Sequence, residues 1–229
     1  INFGNLPLIN NYKTKKNLAK YPVVISQCKK CFLIQLKYSV SDKLLFSDNY
    51  SYLSGNSKEK IYNFESIFSK IKKFSKKRNP SILDVGSNDG SFLELVKKEY
   101  PNVLGIEPTN TAEISLNKGI DTIKKPLNFK LAKKIVQKYS KFDFIVATNL
   151  FAQSNNLDEI LKSVKLILNK EGLLIVEVQY LYDLLFQKGF DSFHHEHIAY
   201  YTTSSIMKVL KKYKLHVFDA EKLKVHGGM

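Results

Sequence analysis

From Pro80 onward, short apolar runs alternate with segments of helical periodicity, and this alternation constrains the fold more than any other feature of the chain. The predicted strands cover residues 81–85, 103–106, 142–147, 173–178 and 215–218, and the predicted helices cover 57–77, 91–99, 111–118, 129–139, 157–168 and 204–213. Repeated strand–helix units of this size are typical of a mostly parallel, doubly wound sheet. The sequence therefore predicts an α/β fold.

The length and hydropathy of the chain suit a folded domain of ordinary size. Its 229 residues are 44% hydrophobic, but the longest apolar runs are only a few residues, well short of the ~18 to 20 that cross a bilayer. We expect a soluble, cytoplasmic monomer with no membrane partner. The chain starts at Ile1 rather than Met and ends at Met229 after a Gly-Gly pair, so we also expect a fragment truncated at both ends.

The formal net charge of +15 raises the question of a nucleic-acid partner. Among the 36 basic residues, however, Arg78 is the only arginine. Proteins that read phosphates and base edges favour arginine for its bidentate fork. We therefore interpret most of the charge as background composition and solvated helix faces, and nucleic acid is not the expected partner.

A loop rich in glycine and acidic residues follows the first predicted strand after Pro80: Asp84-Val85-Gly86-Ser87-Asn88-Asp89-Gly90. Glycines let the backbone approach a ligand closely, and ligands of open α/β sheets bind at such strand ends. The spacing is not the Gly-x-Gly-x-x-Gly of dinucleotide binders. Because Asp84 and Asp89 place carboxylates there, the loop favours a cationic or zwitterionic ligand, which points to S-adenosylmethionine.

Glu107 directly follows the second predicted strand, about 20 residues after Gly86. A carboxylate at that position accepts hydrogen bonds from ribose hydroxyls, so Glu107 and the following Pro108 join the predicted cofactor site. In the alternative interpretation, the glycines are ordinary turn residues and Glu107 is a surface charge.

Three of the five histidines lie in the string Phe193-His194-His195-Glu196-His197, which is followed by Tyr200-Tyr201. A histidine suits proton removal at neutral pH, and a neighbouring carboxylate can orient it. Two alternatives stay open: a chance cluster in a surface loop, or a metal site.

These motifs, together with Gly105-Ile106-Glu107-Pro108 and His226-Gly227-Gly228, resemble the S-adenosylmethionine-dependent sugar C-methyltransferases. Members of that family act at C3 of nucleotide-linked 4-keto-deoxysugars. The resemblance covers nearly the whole chain. It implies a Rossmann-like class I methyltransferase core over 56–185, a partial N-terminal zinc-binding lobe over 1–55, and the start of a C-terminal substrate lobe over 186–229.

The resemblance also assigns roles to individual residues. It implies that His197 is the general base, with Glu196 beside it in the site. His194, Tyr200 and an N-terminal tyrosine are the alternative donors to the enolate oxygen. The resemblance places Tyr52 and Ser54, in the segment Asp48-Asn49-Tyr50-Ser51-Tyr52-Leu53-Ser54, near the active site. The implied cofactor-binding residues are Asp84, Gly86, Ser87, Asn88, Gly90, Glu107, Pro108 and Asn149.

Cys28 and Cys31 are the only cysteines, and their Cys-x-x-Cys spacing is metal-like or redox-like. Three other segments, Leu6-Pro7-Leu8-Ile9-Asn10, Tyr21-Pro22 and Gln35-Leu36, also resemble the family's N-terminal zinc lobe, so the resemblance implies structural zinc. Zinc needs four ligands in such a site, and the family's earlier Cys-x-x-Cys pair is absent here. The two cysteines are therefore half of a site.

Two positions depart from the family pattern. His194 stands where a tyrosine is usual, and Gln153 stands where the family has the histidine of Asn-x-x-Ala-His. Both departures affect the expected substrate. The competing functions are a methyltransferase acting on RNA or another small molecule, and a non-catalytic scaffold derived from this fold.

Overall fold

The structure is a computed structural model that describes residues 1–9, 18–46, 50–223 and 228–229. Asn10, Asp48, Asn49, His226 and Gly227, which belong to motifs named above, lie outside the described residues. No described helix has both the length and the apolar character that a membrane span requires.

Nine strands are present in the described part of the chain. They are β1 (Asn2–Pro7), β2 (Lys20–Gln27), β3 (Ile34–Leu36), β4 (Ile82–Val85), β5 (Val103–Ile106), β6 (Thr122–Ile123), β7 (Phe142–Thr148), β8 (Leu168–Glu177) and β9 (Ala199–Tyr200).

Nine α-helices occur in the same residues. They are α1 (Asp42–Leu45), α2 (Lys58–Phe74), α3 (Ser91–Lys97), α4 (Thr111–Asn117), α5 (Phe129–Tyr139), α6 (Leu150–Gln153), α7 (Leu157–Ile167), α8 (Leu181–Phe186) and α9 (Thr203–Lys211). Two short 3-10 helices cover Ser54–Asn56 and Phe190–Ser192.

The chain divides into two compact units. The first unit comprises Ile1–Tyr50, Asn149–Asn155 and Glu177–Met229, and the second comprises Ser51–Thr148 and Asn156–Val176. The first unit thus groups residues that the sequence analysis assigned to separate lobes. The predicted division at 55/56 and 185/186 stays a prediction.

The second unit contains a five-stranded sheet in the order β6-β5-β4-β7-β8. The pairs β4–β5, β4–β7 and β5–β6 are parallel, with Asp84 opposite Gly105 and Val85 opposite Ile106. In chain order, β5 and β6 lie on one side of β4, whereas β7 and β8 lie on the other side, so the topological switch point lies between β4 and β7. Ligands of such sheets bind at the switch point, outside the carboxyl ends of the strands. The predicted doubly wound α/β fold is confirmed.

Helix α2 covers one side of this sheet because its apolar residues recur at helical spacing. Phe64, Ile67, Phe68 and Ile71 are buried in one cluster with residues of β4, α3 and β7. Ser57 caps the helix by accepting a hydrogen bond from the backbone N–H of Lys60 at 3.2 Å. The cap fixes where α2 begins, next to the loop that follows β4.

The first unit contains the sheet β1-β2-β3-β9, in which the pairs β1–β2, β2–β3 and β3–β9 are antiparallel. Its core includes Val23, Ile25, Leu36, Phe193 and Tyr200. Neither β1 nor β2 is among the strands predicted from the sequence. Short strands of mixed polarity on a half-exposed sheet give a weak periodic signal, which explains why they were missed.

The strand predicted over 215–218 is wrong, because these residues have no regular secondary structure. Val217 and its neighbours alternate in exposure as a strand would, but no neighbouring strand in the described residues pairs with them. Alternation predicts which face is buried, and pairing is what makes a strand.

Candidate functional site

The loop after β4 is held tightly against the end of β5. Gly86 has a φ of +80°, which is unfavourable for residues with a Cβ. The backbone N–H groups of Gly86 and Ser87 both donate to the carbonyl oxygen of Ile106, at 2.8 and 3.1 Å. The turn therefore places the loop beside Glu107, the next residue of the chain after Ile106.

Two loop side chains bind the segment that precedes α2. Asn88 accepts from the Ser54 N–H at 2.9 Å through Oδ1, and its Nδ2 donates to the Tyr52 carbonyl at 3.0 Å. Asp89 accepts from the Gly55 N–H at 3.1 Å. The backbone of the Tyr52–Gly55 segment is thus fastened to the loop, and Tyr52 itself is 41% exposed.

Gly90 ends the loop with a φ of +74°, and its surroundings leave no room for a side chain. A Cβ at this position would lie 2.3 Å from Ser115 Oγ, 2.9 Å from Ser115 Cβ and 3.2 Å from Ser115 Cα. The absent side chain lets the loop pack against α4, so the structure gives Gly90 a packing role.

Asp84, Glu107 and Lys60 are three buried ionisable side chains of one cluster, with 3%, 5% and 2% exposure. Burial and, second, the negative charge of Glu107 raise the pKa of Asp84 to about 8, although the positive charge of Lys60 opposes them. Glu107 accepts from the Asn88 N–H at 2.9 Å and from the Thr109 N–H at 2.8 Å. These two bonds fix the orientation of its carboxylate.

The loop fits a cationic ligand by an observation independent of the motif. Asp84 Oδ1 and Ser87 Oγ are buried and have no hydrogen-bond partner among the residues that the structure describes. A buried unpaired polar atom is costly unless a ligand or water satisfies it. Both atoms can accept a hydrogen bond from an ammonium group. Such a group is part of S-adenosylmethionine.

The second unit brings together six of the eight predicted cofactor-binding residues: Asp84, Gly86, Ser87, Asn88, Gly90 and Glu107. Pro108 follows Glu107 and is exposed. Asn149 belongs to the first unit, where it begins α6 with a φ of +60° and donates its N–H to the Glu177 carbonyl at 2.9 Å.

The histidine cluster lies in the first unit, where a tight turn joins its ends. The His197 N–H donates to the His194 carbonyl at 3.1 Å, an i to i+3 bond that is typical of a β-turn. The turn brings the His194 and His197 rings to a centroid distance of 3.9 Å. His195 faces elsewhere: its Nε2–H donates to the Tyr21 carbonyl at 3.1 Å.

His197 is held by its own unit. Its Nδ1 lies 3.0 Å from the Ser192 carbonyl oxygen, and the Tyr200 hydroxyl donates to the same oxygen at 3.1 Å. A carbonyl oxygen only accepts hydrogen bonds, so the neutral ring carries its proton on Nδ1. The lone pair is then on Nε2, which is the nitrogen that can take a proton.

Two neighbours of His197 in the cluster, His194 and Glu196, have shifted pKa values that favour their uncharged forms. Burial and, to a smaller extent, the adjacent His197 and His195 together lower the pKa of His194 to about 3. Burial raises the pKa of Glu196 to about 7. His194 Nδ1 accepts from the Glu196 N–H at 3.3 Å, so the neutral His194 carries its proton on Nε2 as a donor.

The structure therefore brings together three of the four predicted catalytic residues, namely His194, Glu196 and His197. The fourth, Tyr52, belongs to the second unit. No group of three or more His, Cys, Asp or Glu side chains in the described residues is arranged to hold a metal ion, so the metal interpretation of the histidine cluster finds no support.

Cys28 and Cys31 are free, partly exposed thiols on the turn between β2 and β3. The backbone N–H groups of Cys31 and Lys30 lower the pKa of the Cys28 thiol. Two thiolates alone do not close a tetrahedral zinc site, and the described residues add no third ligand. The described residues alone therefore do not fit structural zinc. The zinc site that the resemblance implies has no support in the structure.

Comparison with known proteins identifies the family. The pattern of a methyltransferase domain matches residues 60–219, which is more than half of the chain. The chain belongs to the methyltransferase domain family. Membership confirms the predicted enzyme class. The chain is also similar to the C-methyltransferase NovU of Streptomyces niveus, with 26% identity over 234 residues; the match covers 100% of this chain and 56% of that protein's length.

Solved structures support the fold. The magnesium protoporphyrin IX methyltransferase of Synechocystis PCC 6803, solved with bound SAH, aligns with a TM-score of 0.57 and 11% identity over 74% of this chain and 79% of that one. YcgJ of Bacillus subtilis aligns with a TM-score of 0.54 and 14% identity, covering 69% and 71%. The Rossmann-like class I methyltransferase fold is thereby confirmed.

Two buried residues of the candidate site were not predicted from the sequence: Lys60, which interacts with Asp84, and Gln179, which contacts His197. Lys60 occupies the helical stripe that continues through Phe64, Ile67 and Ile71, so a lysine at an apolar position was the available signal. Gln179 lies just beyond β8 and is 5% exposed. Nothing in the local sequence distinguishes it from a loop residue.

Proposed function

We propose that the protein is an S-adenosylmethionine-dependent C-methyltransferase whose substrate is a nucleotide-linked 4-keto-deoxysugar, methylated on the carbon beside the keto group. S-adenosylmethionine, when bound, supplies an electrophilic methyl group. The loop from Asp84 to Gly90 and Glu107 are the proposed residues that hold it. The name of the Streptomyces niveus relative, a C-methyltransferase, supports methylation at carbon.

The geometry of His197 is the observation that carries the proposal. Its Nδ1–H donates to Ser192, which leaves a lone pair on Nε2. A general base for a C–H bond next to a ketone needs a neutral imidazole of fixed orientation. The Tyr200 hydroxyl shares the Ser192 carbonyl, and the two bonds hold the turn that carries the base.

In the proposed reaction, His197 Nε2 takes the proton from the carbon beside the keto group. The C–H bond breaks, and its electron pair moves into an enolate, whose charge develops on the keto oxygen. The enolate carbon would then form the new bond to the methyl group, whose bond to the sulfonium sulfur would break with its electron pair left on the sulfur. His197 becomes an imidazolium and releases its proton to solvent after the product leaves.

His194 and Glu196 have distinct proposed roles. His194 is neutral because burial holds its pKa near 3, so its Nε2–H is a donor that does not compete for the substrate proton. Such a donor stabilises a developing enolate oxygen. Glu196, with its pKa raised to about 7, becomes negative readily when the imidazolium forms.

Binding of the cofactor is tested by calorimetry of this chain with S-adenosylmethionine. Glu107→Gln keeps the size of the side chain and removes its charge, and we expect it to weaken binding at least about 10-fold because bonds to a charged acceptor contribute about 1.5–3 kcal/mol. Glu113→Gln, on the exposed face of α4, is the matched control. Equal affinity in the Glu107 variant and the parent refutes the assignment.

The base is tested by deuterium exchange. A nucleotide-linked 4-keto-deoxysugar incubated with the protein in D₂O is expected to take up deuterium at the carbon beside the ketone. His197→Ala is expected to lower the rate at least about 100-fold, the usual contribution of a general base, and His216→Ala, at an exposed position, is the control. Unchanged exchange in His197→Ala contradicts the proposal.

A further inference from the structure

Asp89, in the candidate cofactor loop, is a buried carboxylate that binds backbone groups of two other elements. The residue is 4% exposed. Its Oδ2 accepts from the Gly55 N–H at 3.1 Å, and its Oδ1 accepts from the Ser91 N–H at 3.2 Å. One side chain therefore joins the segment that precedes α2 to the first residue of α3.

Lys118, the residue that follows α4, provides a positive charge beside this carboxylate. Its Nζ lies 3.8 Å from Asp89 Oδ2 and 3.3 Å from Glu94 Oε2, and it donates to Ser91 Oγ at 2.9 Å. The side chains of Lys118 and Asp89 are 27% and 6% exposed. Because a buried carboxylate is costly without a countercharge, the ammonium group offsets part of the cost of burying Asp89.

The packing of Gly55 is a second sign that the segment and the start of α3 are held together. A Cβ at this position would lie 2.4 Å from Ser91 Oγ and 2.8 Å from Asp89 Oδ2. Both distances are too short for a real side chain. The missing Cβ is therefore what lets the Gly55 N–H come within hydrogen-bond distance of Asp89.

The position of Asp89 in the chain connects these contacts to the candidate cofactor site. The preceding residue, Asn88, donates its backbone N–H to Glu107 at 2.9 Å and accepts from the Ser54 N–H through its side chain. The following residue, Gly90, is the one packed against α4. A shift of Asp89 therefore moves both of its neighbours and the backbone that faces Glu107.

We propose that Asp89 is a positioning residue for cofactor binding, which holds the Tyr52–Gly55 segment against the start of α3 with Lys118 as its countercharge and thereby fixes the cofactor loop. This inference rests on the proposed cofactor site. Asp89 acts through the loop backbone, and Lys118 acts through Asp89. The role differs from the interpretation of the sequence, in which the carboxylates of Asp84 and Asp89 both favour a cationic ligand.

A simpler role for Asp89 is a local cap of α3. A cap needs the bond to the Ser91 N–H alone, and it predicts no dependence on Gly55 or on Lys118. The bond from Gly55 and the nearby ammonium group are the contacts that favour the wider role.

Calorimetry with S-adenosylmethionine measures the effect on the cofactor site. Asp89→Asn keeps the size of the side chain but replaces one acceptor oxygen with an NH₂ group, and we expect affinity to fall about 10-fold. Lys118→Met is expected to lower it about 3-fold, as for a partly exposed pair, and Lys118→Arg, which keeps the charge, to restore it. Lys72→Met, which breaks an exposed pair with Glu99, is the matched control.

A double variant tests whether Lys118 acts through Asp89. In the Asp89→Asn background the countercharge has no carboxylate to serve, so adding Lys118→Met is expected to change affinity by less than about 1.5-fold. A further loss as large as the one in the Lys118→Met single variant overturns the proposal.

Amide hydrogen exchange followed by NMR tests the contacts without any cofactor. In Asp89→Asn we expect the Gly55 and Ser91 N–H groups to exchange about 10-fold faster than in the parent. The Gly105 N–H, bonded to the Asp121 carbonyl at 2.8 Å, is expected to keep its parental rate. Parental rates at Gly55 and Ser91 overturn the proposal, as does equal acceleration at Gly105, which reports a general loss of stability.

The Glu107→Gln variant separates failure of this inference from failure of the cofactor site. If Glu107→Gln weakens binding while Asp89→Asn and Lys118→Met bind as the parent does, the cofactor site stands and only the role of Asp89 is wrong. If the parent does not bind S-adenosylmethionine, or Glu107→Gln binds it equally well, the proposed cofactor site has failed and this inference fails with it.

Discussion

Replacing Gly90 with alanine separates two reasons for a glycine in the candidate cofactor loop. The first reason is backbone conformation, because the φ of Gly90 is +74°, which is unfavourable for residues with a Cβ. The second is steric, because a Cβ would lie 2.3 Å from Ser115 Oγ and 3.2 Å from Ser115 Cα. Gly119, which lies two residues after the end of α4, offers a matched comparison. Its φ is +73°, and a Cβ there would meet nothing within 4 Å.

The two sites give different expected magnitudes. A left-handed conformation costs a residue with a Cβ about 1–2 kcal/mol, and Gly119→Ala is expected to lose only that much. Gly90→Ala has the same backbone strain, and overpacking against Ser115 adds about 1–3 kcal/mol to the loss of unfolding free energy. The expected loss of unfolding free energy is therefore about 2–5 kcal/mol.

Urea denaturation of the two variants and the parent measures these losses. Ser115→Gly removes the two nearest contacts, so in the Gly90→Ala background it is expected to recover part of the loss, giving a coupling of about 0.5–3 kcal/mol in a double-mutant cycle. If Gly90→Ala costs no more than Gly119→Ala, close packing against α4 is not what the glycine provides.

Two further predictions concern titrating groups. Because burial raises the pKa of Asp84 to about 8, the folded protein retains a proton that the unfolded chain has lost, and the free energy of unfolding falls as pH rises from about 4 to 8. Asp84→Asn is expected to remove this slope in urea titrations at several pH values, and an unchanged slope contradicts the assignment. The backbone N–H groups that lower the pKa of Cys28 increase its thiolate fraction, so Cys28 is expected to be alkylated by iodoacetamide faster than Cys31, as followed by mass spectrometry; faster alkylation of Cys31 contradicts it.

Much of the second unit was predictable from the sequence because its local signals agree with its fold. The apolar runs are buried strands, the helix over 129–139 is α5 with the same bounds, and Ser57 and Gly119 mark a helix start and a helix end. Parallel strands buried on both faces read as continuous apolar runs. Because β4 and β5 are adjacent and parallel, the loop after β4 and Glu107 after β5 lie at the same edge of the sheet.

The first unit was less predictable because its contacts join distant parts of the chain. The strand β3 pairs with β9, and Gln179 meets His197 only after the turn at 194–197 has formed. Such pairings leave no periodic trace in a short window of sequence. The cluster of histidines was visible, but the tautomer of His197 depends on the Ser192 carbonyl and needed coordinates.

The most direct test of the account identifies the atom that receives the methyl group. The protein is incubated with S-adenosylmethionine labelled with carbon-13 in its methyl group and with a nucleotide-linked 4-keto-deoxysugar, and the product is analysed by carbon-13 NMR. The account predicts a labelled methyl bonded to the carbon beside the keto group, and none in the His197→Ala variant. A label on oxygen or nitrogen, or equal labelling in that variant, contradicts it.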